Sequence, residues 1–334
     1  MSTVRESSVA DRTVATEQEQ SPRGWRRYKT STFYGFISPW LAGFVLLTLF
    51  PLGYALWLSF TNFDGMTGNY HYVGLRNYTS IFPDNDALHA LARTGLYTLI
   101  TVPLSIALGL LLAVLLNQRI RARGAFRSLI YLPAVVPIVG SALAFKMLFN
   151  ADYGMINQVL GWFGILPVDW LSDPAVFMVL IAMTLWGVGT TMILSLSGLQ
   201  GIPRELQEAA RVDGAGGWRV FTRITLPLLS PIILFEVITG VIASIQGFVA
   251  PLLLTSSSAA SAVTSVPQST YLFMIHVYAQ YFAYGRFGYA SALLWALFVL
   301  ILLLTILIFR VSARAVFYEN EPERPMRSKA RKIR

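Results

Sequence analysis

Apolar stretches long enough to cross a lipid bilayer recur along this chain of 334 residues. A helix needs roughly 20 mostly apolar residues to span the hydrocarbon core of a membrane. Only 13% of the residues are charged and 55% are hydrophobic, whereas a soluble protein of this length needs a more charged surface. We therefore predict an all-α membrane protein with six transmembrane helices, at residues 34–60, 93–117, 128–149, 175–198, 229–254 and 288–310.

The distribution of basic residues predicts which side of the membrane each loop faces. Most of the 26 lysines and arginines lie in the N-terminal arm, in the second-to-third and fourth-to-fifth connections, and in the C-terminal tail. The positive-inside rule places these segments, and hence both termini, in the cytoplasm. Orientation also accounts for the net charge of +9, so no nucleic-acid partner is expected. We predict a disordered basic arm over 1–32, a transmembrane domain over 33–312 and a basic tail over 313–334.

Two segments have alternative interpretations. The first apolar run is far longer than the 7–15 residues of a signal-peptide core, so we interpret it as a retained span. Residues 271–278 are amphipathic and aromatic, and we predict an interfacial helix there, with Gln280, Tyr281 and Tyr284 in the headgroup region. A seventh span at this position is the alternative, and it would place the C-terminus outside.

A charged loop over residues 199–228 connects the fourth and fifth spans on the predicted cytoplasmic side. Pro203 suits the first position of a helix, where its missing N–H is not needed. Gly214 follows where that helix would end, because a left-handed backbone is accessible to glycine. A second short helix can then start at Gly216 or Gly217. The loop predicts a low-profile helix that another protein can approach closely, with an ordinary amphipathic connector as the alternative.

The spacing of this loop resembles a family signature. Glu-Ala-Ala, three residues, Gly, nine residues, Ile, one residue and Leu-Pro is typical of permease subunits of binding-protein-dependent ABC importers, and here it matches at Glu208, Ala209, Ala210, Gly214, Ile224, Leu226 and Pro227. The flanking residues 198–203 and 225–229 are similar to the carbohydrate-uptake branch, which includes maltose and glycerol-3-phosphate permeases. The resemblance covers roughly residues 33–312. The chain departs from it after Thr255, where Ser256-Ser257-Ser258 replaces the Gly-Gly-Pro of relatives.

The resemblance implies a fold, a function and a set of partners. The fold is that of a type I importer permease (MetI-like), in which the loop helix, here including Asp213, sits in a cleft of the ATPase subunit. Expected partners are a second homologous permease in a heterodimer, two ATPase subunits that bind ATP and Mg, an extracytoplasmic solute-binding protein, membrane lipid and a sugar. The implied location is the inner membrane of a prokaryote, and the implied function is sugar import by ATP-driven alternating access. A phosphorylated polyol such as glycerol 3-phosphate is the alternative substrate.

A sugar pathway needs polar and aromatic groups on facing helices, and the fourth and fifth spans supply them. The candidates are Trp186, Gly187, Thr190, Ser244, Gln246, Gly247 and Phe248. By resemblance to maltose-type permeases, Trp186, Gly187, Thr190, Ser244 and Gly247 fall at sugar-contacting positions, whereas Ala134 and Ala243 fall where those permeases have aromatic residues. Glycine, serine and threonine also pack membrane helices together, which is the alternative interpretation.

Glu236 is the only acidic residue well inside a predicted span, where a charge is expensive. We favour a structural interpretation, with the side chain reaching the cytoplasmic side or pairing with an arginine, over a functional one. His276 is expected at the outer interface, and without nearby carboxylates it predicts no metal site.

Other classes of function are disfavoured by the sequence. A Gly-x-x-x-x-Gly-Lys-Ser/Thr loop is missing, so ATP would be hydrolysed on a separate subunit. An ion-coupled secondary transporter would need acids or broken helices in two internal repeats, which are not evident. A membrane enzyme would need paired carboxylates, a Ser/His/Asp set or a metal motif, and none is present. We therefore predict no catalytic residue, no metal and no cofactor in this chain, which also lacks cysteine.

Overall fold

The computed structural model describes residues 30–68, 70–118, 120–255 and 266–313. The chain forms two compact units that divide after Gly53. The predicted arm up to residue 29, the predicted tail beyond residue 313 and the departure at residues 256–258 lie outside the described residues. The limits of the three predicted domains therefore stay predictions.

The first unit ends within a long apolar helix. It contains α1 (Thr30–Phe44), a π-helical turn (Val45–Leu49) and the start of α2 (Phe50–Ser59). Residues Ser31–Ser59 together are long and apolar enough to span a membrane. The π turn lies just before Pro51, which has no N–H to donate and whose ring would clash with the carbonyl one turn earlier. A widened turn is a recognised way for a helix to accommodate such an interruption.

The second unit contains the remaining helices of the described chain. They are α3 (Arg76–Thr79), α4 (Asn85–Asn117), α5 (Arg123–Val135), α6 (Ile138–Leu148), α7 (Met155–Trp162), α8 (Ala175–Trp186), α9 (Gly189–Gly201), α10 (Arg204–Val212), α11 (Gly217–Val220), α12 (Leu226–Ile245), α13 (Val249–Thr255), α14 (Phe273–Phe282) and α15 (Phe287–Ser312). Among the described residues β-structure is limited to one bridge, between Thr61 and Tyr72.

The six predicted spans correspond to four long helices and two bent pairs. The long ones are Ser31–Ser59, Asn85–Asn117, Gly217–Ile245 and Phe287–Ser312. The pair α5 and α6 is bent by 95°, and the pair α8 and α9 by 42°. The predicted all-α membrane fold is confirmed, with bends that hydropathy alone does not reveal.

The fifth span begins earlier than predicted. A helix starts at Gly217, as the sequence predicted, but residues Gly217–Ile245 run as one helix through a π turn at Phe221–Thr225, so the prediction that this second loop helix is short and separate is wrong. This π turn again lies just before a proline, Pro227, and lets the helix continue past it. The span also ends earlier than predicted, at Ile245, before the break that leads to α13.

The prediction of a helix over residues 271–278 is confirmed, but its predicted interfacial surroundings are wrong. The segment forms α14, whose side chains Phe273, Ile275 and His276 are buried where the helix packs against α4 and α15. Gln280, expected among headgroups, is only 4% exposed. A ten-residue helix is roughly 15 Å long, so α14 is also too short for the alternative of a seventh span.

Helix α4 is the centre of the second unit, in contact with α8, α9, α12 and α14. It lies close to α9 at Gly109, where an added Cβ would lie 2.7 Å from Thr191 Cγ2 and 3.1 Å from the backbone nitrogen of Met192. Small residues allow membrane helices to approach in this way. Thr191 is also part of the lining of a cavity in this unit.

Candidate functional site

A cavity of about 560 Å³ lies inside the second unit, between α4, α8, α9 and α12 and the ends of α5, α6 and α13. Its lining mixes hydroxyl, amide and aromatic side chains with apolar ones. A volume in this range suits a small organic solute.

The cavity is built where three helices break. The α5–α6 break contributes Val136, the α8–α9 break contributes Gly187 and Val188, and the α12–α13 break contributes Gln246 and Gly247. Within a membrane, non-helical backbone is tolerated only where it is buried in protein or lines a polar cavity. The breaks leave backbone groups and short turns facing this space, in the arrangement that transporters use for binding.

All seven residues predicted for a solute pathway line this cavity. They are Trp186, Gly187, Thr190, Ser244, Gln246, Gly247 and Phe248. The Trp186 ring is tilted against Phe145, with ring centroids 5.6 Å apart, and Phe248 stacks on Tyr278 at 5.8 Å. Two alanines singled out in the sequence, Ala134 and Ala243, line the cavity as well.

Sequence reasoning missed the contribution of α4. Tyr97, Thr101 and Ser105 follow one another at four-residue spacing, on one face of the helix, and all line the cavity. The Tyr97 hydroxyl is 2.6 Å from Thr184 Oγ1 on α8, which also lines it. The signal was present in the sequence as a polar stripe along an otherwise apolar span.

Glu236 neither reaches the solvent nor pairs with an arginine, so that part of the sequence prediction is wrong. Its side chain is buried, 5% exposed, and lies in the cavity wall. Ser195 Oγ on α9 donates a hydrogen bond to Glu236 Oε1 over 3.1 Å. Within the described chain, Ser195 is the one side chain that hydrogen-bonds to this carboxyl group.

At one end of the bundle, the 199–228 loop presents an uncovered helix. Helix α10 has no buried residue, and Glu208, Ala209 and Asp213 are exposed. Pro203 is the N-cap of this helix rather than its first residue, a one-position difference from the prediction. Val212 is 88% exposed and Trp218 is 78% exposed, which is unusual for large apolar side chains unless something else covers them.

The end of α10 is a Schellman motif centred on Gly214. Gly214 N–H donates to the carbonyl of Arg211 and Ala215 N–H donates to that of Ala210, the paired bonds that define this motif. Gly214 has a φ of +81°, and an added Cβ would have no neighbour within 4 Å. The backbone therefore favours glycine here, while the space around it within this chain is open.

The remaining motif residues lie where the loop joins the bundle. Ile224 is in the π turn, and Leu226 and Pro227 begin α12. All three are half-buried, between the exposed α10 and buried residues such as Thr225 and Leu229. The motif thus runs from an exposed surface to the first buried turn of a span.

A polar cluster lies at the N-terminal end of α4. Asp84 caps the helix by accepting from Ala87 N–H, and its Oδ2 also accepts from the Tyr289 hydroxyl over 2.7 Å and lies 3.3 Å from His276 Nε2. The expectation that His276 has no carboxylate near it is therefore wrong. Among the described residues no group of three or more potential ligands that could hold a metal ion was found.

Burial and hydrogen bonding together shift the pKa values of Asp84 and His276. Burial lowers the pKa of His276 below its ordinary value, although the neighbouring Asp84 opposes the shift. Burial raises the pKa of Asp84, but hydrogen bonds from Tyr289 and Ala87 and the His276 ring outweigh it, so the net pKa is lowered. At neutral pH the contact is therefore a hydrogen bond between a neutral imidazole and a carboxylate.

These features define a class of protein: an α-helical membrane protein with a cavity at helix breaks and an uncovered helix at one end, which is the architecture of a transport permease. The chain belongs to the family of inner-membrane components of binding-protein-dependent transport systems, whose family model matches residues 105–317.

Relatives and a solved structure agree with this family. The chain is 34% identical to the probable ABC transporter permease protein YesP of Bacillus subtilis over 87% of its length and 93% of the relative's. It is 31% identical to the trehalose/maltose transport system permease protein MalF of Thermococcus litoralis, over 83% and 92% of the two chains. It is 32% identical to the lactose transport system permease protein LacF of Rhizobium radiobacter, over 85% of this chain and 95% of the relative. A bacterial alginate ABC transporter shares the fold, with a TM-score of 0.75 at 22% identity over 85% of this chain and 94% of that one.

Proposed function

We propose that this chain is the translocation subunit of an ABC importer that moves a mono- or oligosaccharide across the inner membrane of a prokaryote by ATP-driven alternating access. The observation that carries the proposal is the cavity at three helix breaks, lined by hydroxyl, amide and aromatic groups. Sugars are bound by such groups, with hydroxyls satisfied by hydrogen bonds and ring faces covered by aromatic side chains. Several relatives are named for sugars.

The proposed mechanism depends on the breaks. Each break separates two half-helices that can change their mutual angle without breaking a continuous hydrogen-bond ladder. Gly187 and Gly247 lie at two of these breaks and line the cavity. Opening and closing of the halves would expose the cavity to one side of the membrane and then to the other.

In this proposal, the energy of ATP hydrolysis reaches the chain through the 199–228 loop. The exposed α10, with Glu208, Ala209, Ala210, Asp213 and Gly214 on it or at its end, would seat in a cleft of a separate ATPase subunit that binds ATP and Mg. Half-buried Ile224, Leu226 and Pro227 would pass movement of that helix into α12, which lines the cavity. The exposed Val212 and Trp218 side chains suit an interface with a partner protein.

The proposed assembly has a second homologous permease, two ATPase subunits and an extracytoplasmic solute-binding protein around this chain, in a lipid bilayer. Both termini would lie in the cytoplasm, together with the 199–228 loop, as the basic residues predict. A phosphorylated polyol is the alternative substrate, and an ion-coupled secondary transporter is a less favoured mechanism.

Reconstitution of the complete importer in proteoliposomes tests this proposal. We expect uptake of labelled maltose, trehalose or lactose that requires both ATP and the binding protein. The control is the same complex with a catalytically inactive ATPase, which should show no uptake. Uptake that persists with the inactive ATPase and collapses with a proton or sodium ionophore would instead support the secondary-transport alternative.

A further inference from the structure

The face of α12 that lines the cavity includes an acid. Glu236, Gly240, Ala243 and Ser244 all line it, and their spacing of four, seven and eight residues from Glu236 is that of one helical face. Glu236 thus lies on the same face as the candidate solute contacts, one turn nearer the 199–228 loop than Gly240.

The cavity has no basic counterpart for this acid. Among the lining residues in the described part of the chain, Glu236 is the one carboxyl group, and lysine, arginine and histidine are missing from the lining. The other polar side-chain groups there are hydroxyls, the Gln246 amide and the indole N–H of Trp186. These groups are suited to neutral hydroxyl-bearing solutes.

The Glu236 carboxyl group keeps unused hydrogen-bonding capacity. A carboxylate can accept about four hydrogen bonds, and within the described chain one side chain, Ser195, donates to it, at 3.1 Å from Oε1 and 3.4 Å from Oε2. Within the described residues, Ser195 supplies the one partner that a buried polar group normally has, and the remaining lone pairs of the carboxylate are open to a further donor. A solute hydroxyl or ammonium group in the cavity would supply one.

An anionic solute would find no favourable site here. If Glu236 is ionised, it repels a phosphate or carboxylate in the same cavity; if it is protonated, the lining still offers no positive charge to an anion brought out of water. Either protonation state therefore disfavours an anion, whereas a neutral sugar is accommodated in both and an amino sugar is favoured when Glu236 is ionised.

We infer that the cavity of this chain admits neutral and amino saccharides and rejects anionic ones, and that Glu236 sets this preference by hydrogen-bonding to the solute. The inference rests on the proposed function and narrows its substrate class. It disfavours the phosphorylated polyol and separates this chain from the alginate transporter that shares its fold, since that transporter is described with an acidic polysaccharide.

The test measures binding by the permease complex without its binding protein, because the binding protein imposes its own selection. Saturation-transfer NMR on the intact permease–ATPase complex in nanodiscs would use galactose, galactosamine and galacturonate at millimolar concentrations, with the glucose series in parallel. We expect signals from the neutral and amino sugars and at least fivefold weaker ones from the uronates.

Three variants separate a binding role of Glu236 from a structural one. Glu236→Gln should reduce the amino-sugar signal severalfold and raise the uronate signal, with little change for the neutral sugar. Ser195→Ala removes the internal partner of Glu236 and should preserve the charge preference. Asp152→Asn, which removes an exposed loop carboxylate, should change nothing.

The outcomes are distinguishable. Equal binding of uronates and neutral sugars by the wild-type complex would overturn the inference and leave the proposed sugar transport intact. If Glu236→Gln weakens the binding of all three sugars in parallel, the inference is also overturned, because Glu236 would then act only in helix packing. The proposed sugar transport again stays intact. Failure of every sugar to bind would count against the proposed function itself, and the inference would fall with it.

Discussion

Ser244 Oγ on α12 donates a hydrogen bond to Thr98 Oγ1 on α4 over 2.9 Å. Ser244 lines the cavity, whereas Thr98 does not. The residue that resemblance assigns to sugar contact is therefore also part of a contact between two packed helices. The position of Ser244 alone does not separate these two roles. Because only Ser244 of the pair lines the cavity, a comparison of variants at the two residues does separate them.

Removal of each hydroxyl in turn distinguishes the roles of Ser244. Thr98→Val and Ser244→Ala both delete the interhelical hydrogen bond, which is worth about 0.5–1.5 kcal/mol in general, so both should lower thermal stability by a similar amount. If Ser244 also contacts the solute, Ser244→Ala alone should raise the KM of uptake severalfold. Equal uptake kinetics in the two variants would assign Ser244 to packing.

The Trp186 side chain should contribute to solute binding rather than to assembly. It lines the cavity, is 40% exposed and makes one tilted contact with Phe145. We expect Trp186→Ala to raise the KM of uptake by about twofold to tenfold, as loss of an aromatic contact of about 0.5–1.5 kcal/mol implies, while the complex still assembles. Trp162→Ala is the matched control, because Trp162 is 81% exposed and outside the lining. Unchanged uptake in Trp186→Ala would remove this residue from the pathway.

Hydropathy predicted the spans because six apolar stretches can hide their backbone polar groups only as helices. It did not predict the bends at Val136 or Gly187. A bend depends on how neighbouring helices satisfy the freed backbone groups, which is a property of the packed bundle. The continuous helix through Pro227 was missed for the same reason: a proline predicts an interruption, and the compensating π turn is not visible in the sequence.

The site was predicted unevenly. The residues beside helix breaks on the fourth and fifth spans were found because Trp, Gln and Gly are conspicuous in apolar segments. Tyr97 and Thr101 were missed because hydroxyl residues are common in membrane helices as packing groups. The contact between Asp84 and His276 joins segments far apart in sequence, and no local pattern predicts such a pair.

Gly214 should be intolerant of side chains for two separable reasons. Its φ of +81° makes most other residues cost about 1–2 kcal/mol, and bulk at this exposed position would block a docking ATPase. Asparagine tolerates the left-handed conformation, so Gly214→Asn should retain most coupling. Gly214→Arg should abolish substrate-stimulated ATP hydrolysis while the chain still inserts into the membrane.

Membrane insertion and ATPase co-purification are the measurements that check the Gly214 variants. If Gly214→Arg inserts normally and loses the ATPase subunit while Gly214→Asn keeps it, the loss is confined to the loop surface and does not come from failed insertion. Wild-type transport by Gly214→Arg would remove the basis for assigning α10 to ATPase docking.

The importer should lose stability in mild acid because of His276. Burial lowers the pKa of His276 in the folded state, so the unfolded chain, with an ordinary histidine pKa of about 6.5, binds a proton that the folded chain does not. Stability is therefore present above that value and falls as the pH drops below it. Asp84, whose folded pKa is also lowered, adds a loss of stability only below about pH 4.

Tryptophan-fluorescence melting of the purified complex between pH 7.5 and 5.5 isolates the contribution of His276. We expect His276→Asn to melt lower at pH 7.5 but with a flatter pH dependence, and His89→Asn, which alters an exposed histidine, to keep the wild-type slope. An unchanged slope in His276→Asn would show that another group controls the acid response.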